Sequence, residues 1–109
     1  MKEVSVIEDG GTLVAMLNCE IDHHSVKTLR EHIDEKMKES SSDVLVMDFS
    51  GVGFMDSSGI GLIIGRAEAA RSLGKRVRIR ALAPPMLRIV RMCGIEKIKN
   101  LSVEAEEKK

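Results

Sequence analysis

The chain of 109 residues can hold one hydrophobic core but not two, and a hydrophobic fraction of 43% excludes a disordered polymer. Phe49 and Phe54 are its only aromatic residues, which excludes a stacking platform for single-stranded nucleic acid and leaves aliphatic side chains and seven methionines to fill the core. Net charge is zero, yet residues 1–65 carry 5 basic and 12 acidic side chains while residues 66–99 carry 10 and 2.

VSVIE (4–8) and TLVAMLN (12–18) are β-branched and aliphatic runs separated by Asp9-Gly10-Gly11. Such glycines supply the positive φ angles of a tight turn, so an antiparallel hairpin is expected. The period then changes. Val26, Leu29, Ile33 and Met37 recur at helical spacing, with Asp22 or Ser25 placed to cap the amino end and Ser40-Ser41-Ser42 as the exit loop. DVLVMDF (43–49) is a continuous apolar run, the pattern of a strand covered on both faces.

After FMDSS, a second helix is marked by Ile60, Ile63, Ile64, Ala67 and Ala70 and runs to about Leu73, with Gly74 as its stop. RVRIRAL (76–82) reads as the fourth strand. Pro84-Pro85 opens a third helix through Leu87 and Val90, ended by Gly94. A short strand is expected near Glu96–Lys99, and the charged tail SVEAEEKK can start one last helical turn. The order β-β-α-β-α-β-α-β predicts an α/β fold: a mixed, mostly parallel sheet with an amino-terminal hairpin and three to four helices.

FMDSSGIG (54–61) sits between the third strand and the second helix, at the carboxyl edge where α/β proteins place their sites. Unpaired N–H groups and the helix dipole favour an anion there. Ser57 reads as the cap, accepting from the N–H of Ile60, and Ser58 then lies outward in the first turn. Gly59 and Gly61 each cost roughly 1 kcal/mol relative to alanine inside a helix, which suggests close approach of another surface. Four readings are open: an ordinary Asp/Ser cap with packing glycines, a hydrolase nucleophile, a nucleotide loop, and a phosphorylation switch at Ser58. The nucleophile lacks the G-x-S-x-G elbow and a placed base among His23, His24 and His32. The loop lacks both the Walker lysine and the third glycine of G-x-G-x-x-G. EVSVIEDG is a poor match to the acidic pair of an aspartate phosphoacceptor.

Asp22-His23-His24 is expected near the same sheet edge, with Asp22 capping the first helix. A metal site with Cys19 would lack a fourth ligand. The two cysteines make neither a disulfide framework nor a zinc motif, and the apolar stretches fall short of the ~20 residues that span a bilayer; a cytoplasmic protein without membrane contact is expected. Arg76, Arg78 and Arg80 alternate with Val77, Ile79 and Ala81. They either solvate the outer side of a strand or form a basic face for an acidic partner such as nucleic acid.

DFSGVGFMDSSGIGLIIGR (48–66) resembles the signature of bacterial anti-sigma factor antagonists, the founding group of STAS domains. CEIDHHSVKTL (19–29) resembles that family's G-E-[LI]-D-x-x-[ST] approach to the first helix, with Cys19 in place of glycine. PPMLRIVRMCGI (84–95) resembles its third helix, whereas the tail after Val103 lacks the apolar residues of its last one. D-S-S-G-[IL]-G with D-H-H upstream points to the sporulation branch, the antagonists of the anti-sigma F factor. The resemblance implies a single STAS domain over 1–109 with its core at about 4–103, free as a monomer. It implies a substrate rather than an enzyme, with no cofactor. The unphosphorylated form would bind an anti-sigma factor that is also a serine kinase and so free the sigma factor. ATP-dependent phosphorylation of Ser58 would release it, and a serine phosphatase would reset it. Asp22, His23, Asp56, Ser57, Ser58, Gly59 and Gly61 are the implied partner-binding positions. Two rivals stand beside this: a STAS module of a general stress-response switch, and a nucleic-acid binder using the basic half.

Overall fold

A computed structural model describes residues 2–104 of the chain. The hairpin forms as its turn chemistry demands: β1 (Val4–Asp9) pairs antiparallel with β2 (Thr12–Leu17), and Asp9 faces Thr12 across Gly10 and Gly11. Both glycines have positive φ, 56° and 85°, which suits the twist of a two-residue hairpin turn. After α1 (Val26–Glu39), β3 (Val44–Asp48) joins parallel to β2. Then α2 (Ser57–Ser72) leads to β4 (Arg76–Arg80), and α3 (Pro84–Met92) leads through a 3₁₀ turn to β5 (Leu101–Val103). The sheet order is β1-β2-β3-β4-β5, parallel throughout except for the opening hairpin.

Neighbouring parallel strands joined by right-handed crossovers put all three helices on one face. The core agrees. Leu13, Ala15, Leu17, Leu45, Met47, Val77 and Ile79 form one cluster with Leu29, Ile33 and Met37 of α1, Ile63 and Ala67 of α2, and Val90 of α3. Burying each large aliphatic side chain is worth about 2 kcal/mol. Val14 and Val46 point the other way and stand outside this cluster, although they are nearly inaccessible. The apolar run of β3 is thus buried on both sides, as expected, but among the described residues helices line only one. On β4, Val77 and Ile79 are buried while Arg76 and Arg78 are exposed.

The last strand departs from expectation. Residues Ile95–Lys97 form the 3₁₀ turn, and β5 begins only at Leu101. Gly94 stops α3 at φ 73°, and the three-residue spacing of Ile95 and Ile98 suits the turn rather than strand alternation. Asn100 then anchors the new strand: its amide donates to the carbonyls of Ala67 (2.9 Å) and Lys75 (3.2 Å), and its own carbonyl accepts from the N–H of Val77 (2.8 Å). The suggested final helical turn falls largely on residues 105–109, outside the described residues.

The serine exit of α1 is more ordered than a polar loop requires. Ser42 is buried, and the hydroxyls of Ser40 and Ser42 donate to the Glu8 carboxylate. Lys75 donates to the carbonyls of Ser40 and Ser42. The Ser40 and Ser42 bonds, outweighing burial and helped by Lys75, hold the Glu8 carboxyl below its ordinary range. This cluster ties the amino edge of the sheet, opposite the edge that carries FMDSSGIG.

Candidate functional site

Two loops meet at the carboxyl edge, one leaving β2 and one leaving β3. Gly51 lets them touch: a Cβ there would come within 2.7 Å of Asn18 Oδ1 and 2.8 Å of the Leu17 carbonyl. Farther along, the buried Ile21 forms a single parallel bridge with Met55. Its N–H donates to the Phe54 carbonyl (2.9 Å), and its carbonyl accepts from the N–H of Asp56 (3.0 Å). That bridge sets Asp22 and Asp56, the residues that follow it on each loop, at adjacent helix beginnings.

Asp22 and Ser25 form a reciprocal box at the start of α1. Asp22 Oδ1 accepts from the N–H groups of Ser25 (3.0 Å) and His24 (2.9 Å), while Ser25 Oγ accepts from the N–H of Asp22 (3.1 Å). The bond from the Ser25 N–H leads in holding the Asp22 carboxyl below its usual range. His23 and His24 are exposed, with ring centroids 3.9 Å apart.

The cap of α2 is Asp56, not Ser57. Asp56 Oδ1 accepts from the N–H of Ser58 at 2.8 Å, and the Asp56 carbonyl accepts from the N–H of Gly59 at 2.9 Å. The reason is non-local. Pairing with Ile21 holds Asp56 extended (φ −97°, ψ −167°), the conformation a cap needs, so the helix starts one residue earlier than expected. Ser57 becomes the exposed first helical residue, and Ser58 follows, half-buried.

The two glycines differ. Gly59 is buried, and a Cβ there would collide with Cγ and Sδ of Met55, so its smallness serves packing inside the protein. Gly61 is exposed and a Cβ would meet nothing within 4 Å. It lines, with Ser58, Leu62, Gly65 and Arg66 of α2 and Val26 and Arg30 of α1, a groove of about 310 Å³. A second, apolar hollow of about 210 Å³ lies on the other side of the α2 beginning, between Met55, Asp56, Ser57, Ile60, the α3 residues Met86 and Ile89, and Cys93 just past the end of α3.

Sequence reasoning missed three features. Arg66 is buried and pairs with Asp34 of α1 through Nε–Oδ1 (2.6 Å) and Nη2–Oδ2 (3.1 Å). Burial pulls its guanidinium below the ordinary range, against the opposing pull of Asp34. Its signal was an arginine on the same helical face as Leu62, two turns after Ser58. Asp48, at the end of β3, takes the Ser50 N–H (2.8 Å) and Arg80 Nε (2.7 Å). Burial raises its carboxyl, but those two partners outweigh it and the net displacement is downward. Phe54 is 51% exposed beside the bridge, and its signal was its rarity in a nearly aromatic-free chain.

Cys19 stands in a backbone conformation that does not require glycine, half-buried against the core. Burial pushes its thiol up, toward the protonated form. Among the described residues, no three His, Cys, Asp or Glu side chains gather as a metal site, and no helix is long and apolar enough to cross a membrane. Four of the ten basic side chains of residues 66–99 are ion-paired: Arg66 with Asp34, Arg78 with Glu104, Arg80 with Asp48 and Arg91 with Glu96.

Comparison with known proteins gives a consistent picture. The STAS domain family model matches residues 3–107. An anti-sigma F factor antagonist from Paenibacillus polymyxa is 33% identical over 88 residues, covering 81% of this chain and 75% of the relative. The solved structure of the anti-sigma factor antagonist SpoIIAA in its unphosphorylated form superposes with a TM-score of 0.71 at 23% identity, covering 95% of this chain and 89% of that one. The Bacillus cell fate determinant SpoIIAA in the phosphorylated form superposes with a TM-score of 0.70 at 25% identity, covering 94% and 92%.

Proposed function

This chain belongs to the STAS domain family, and from that premise we propose that it is an anti-sigma factor antagonist switched by phosphorylation of Ser58. The unphosphorylated form binds an anti-sigma factor that is also a serine kinase, freeing a sigma factor that serves sporulation. The kinase transfers the γ-phosphoryl group of ATP to Ser58 Oγ. A phosphorus–oxygen bond forms at the serine as the bond to the ADP leaving group breaks, and the hydroxyl proton is lost. A phosphatase later hydrolyses the ester. The protein is a substrate in both steps, acts inside the cytoplasm, and is one STAS domain that is monomeric when free.

The observation that carries this reading is the place of Ser58. Its N–H is spent on Asp56, its side chain borders an open groove, and the flanking Ser57 and Gly61 are exposed. A kinase can reach the hydroxyl without unfolding α2. A phosphate adds nearly two negative charges beside the Asp56 carboxylate, at a helix beginning that tolerates anions. The fold then survives while the surface changes sign. Asp22 and His23, held at the next helix beginning by the Ile21 bridge, extend the docking surface.

The test is intact mass after incubation with ATP and a purified candidate anti-sigma kinase. Wild type and Ser57→Ala should each gain one phosphate, and Ser58→Ala none. Phosphate incorporated at Ser57, or undiminished in Ser58→Ala, refutes the assignment.

A further inference from the structure

The groove bordered by Ser58 contains a cation with no ion-pair partner among the described residues. Arg30 stands one turn into α1 and is exposed. Asp34, four residues on, is its natural helical partner. Both Asp34 oxygens, however, are taken by Arg66 at 2.6 and 3.1 Å. Among the described residues, Arg30 makes no ion pair. It instead lines the groove together with Ser58, Gly61 and Gly65.

Direction favours a meeting. Helical side chains lean toward the amino end of their helix. α1 and α2 both begin at the carboxyl edge of the sheet, so Arg30 leans back toward the edge where Ser58 stands. Room favours it as well: a Cβ at Gly61 or Gly65 would meet nothing within 4 Å, so neither position fills the groove. Charge favours it too. A phosphate on Ser58 would sit two residues from the Asp56 carboxylate, and a nearby cation stabilises two such anions.

We propose that Arg30 receives the phosphate carried on Ser58, so that phosphorylation closes the groove between α1 and α2 from within the chain. This rests on Ser58 being the phosphorylated residue. The planar guanidinium fits a phosphate through two parallel hydrogen bonds. Phosphorylation then does more than repel a partner: it removes from reach the arginine and the glycine-lined slot that the unphosphorylated protein presents.

The experiment installs phosphoserine at position 58 during translation, so no kinase is needed. Wild type, Arg30→Gln and Arg30→Lys are compared by ³¹P NMR titration of the phosphate's second ionisation, ordinarily near pH 6. A nearby cation favours the dianion, so the wild-type midpoint should lie about half a unit or more below that of Arg30→Gln. Arg30→Lys should keep part of the difference, and ~0.5 M salt should narrow it. Without phosphate, Arg30→Gln should melt with wild type. Equal midpoints in wild type and Arg30→Gln overturn the proposal. Unequal midpoints in a protein whose Ser58 no anti-sigma kinase modifies support the pair and refute the switch.

Discussion

Removing the carboxylate of Asp56 tests where α2 begins. The helix is intrinsically weak, since Gly59, Gly61 and Gly65 each cost roughly 1 kcal/mol relative to alanine. Its first turn is therefore sensitive to the cap. In Asp56→Ala the 2.8 Å bond from the Ser58 N–H is lost, along with a negative charge at the positive end of the helix dipole. The backbone bond from the Asp56 N–H to the Ile21 carbonyl remains, so the loop keeps its path. Loss of such a cap costs about 1 kcal/mol, within a range of about 0.5–2. For a domain of this size that lowers Tm by about 4–8 °C. Asp56→Asn, which still offers an oxygen, should recover most of the loss. Ser57→Ala, at an exposed helical position, should stay within about 0.5 kcal/mol of wild type. Thermal melts followed by circular dichroism, checked by urea unfolding, decide it. A larger loss in Ser57→Ala than in Asp56→Ala would return the cap to Ser57 and refute the reasoning.

Gly59→Val should destabilise the protein by about 1–3 kcal/mol because it collides with Met55, whereas Gly61→Val should melt close to wild type yet bind an anti-sigma factor weakly. A Gly61→Val protein that melts far below wild type but binds normally once folded contradicts this. The Glu8 carboxyl has a depressed folded-state pKa, so its contribution to stability is full above the unfolded value of about 4.3 and is lost as pH falls through the lower folded one. The stability gap between wild type and Glu8→Gln should therefore close as urea melts move from about pH 5 toward pH 3. With four of the ten basic side chains of residues 66–99 paired and no helix of groove-reading pattern among the described residues, duplex DNA should not bind tightly: in a gel shift at ~150 mM salt, affinity should be no better than the nonspecific range of about 10⁻⁴–10⁻⁶ M. Submicromolar binding there would favour a nucleic-acid function.

What could be read from sequence was whatever depends on near neighbours. Gly10-Gly11 named its own turn, and Val26, Leu29, Ile33 and Met37 named the buried face of α1, because positive φ and helical spacing are local properties. Gly74 and Gly94 marked the ends of α2 and α3 for the same reason. The errors arose where distant residues decide. The cap moved from Ser57 to Asp56 because Ile21, 35 positions earlier by number, holds Asp56 extended. Gly59 turned inward because Met55, paired in a bridge with the distant Ile21, packs across it, while Gly61, two residues on, faces open space. Sequence could treat those glycines only alike. The last strand shifted to Leu101 because Asn100 finds the Ala67 and Lys75 carbonyls, far away along the chain. The Asp34–Arg66 pair is likewise a contact between helices: the helical face of Arg66 hints at its burial, but nothing within α2 names Asp34 as its partner.

The central claim is that the charge state of Ser58 sets affinity for an anti-sigma factor while the fold stays the same. The most direct measurement is the Kd of a purified anti-sigma kinase for the unphosphorylated protein and for the protein carrying phosphoserine at 58, with circular dichroism spectra of both. Charge repulsion and lost close contact, each worth about 1–3 kcal/mol, should weaken binding by roughly tens- to thousands-fold with superimposable spectra. Equal affinity in the two forms, or a phosphorylated form that has lost its native spectrum, would contradict the claim.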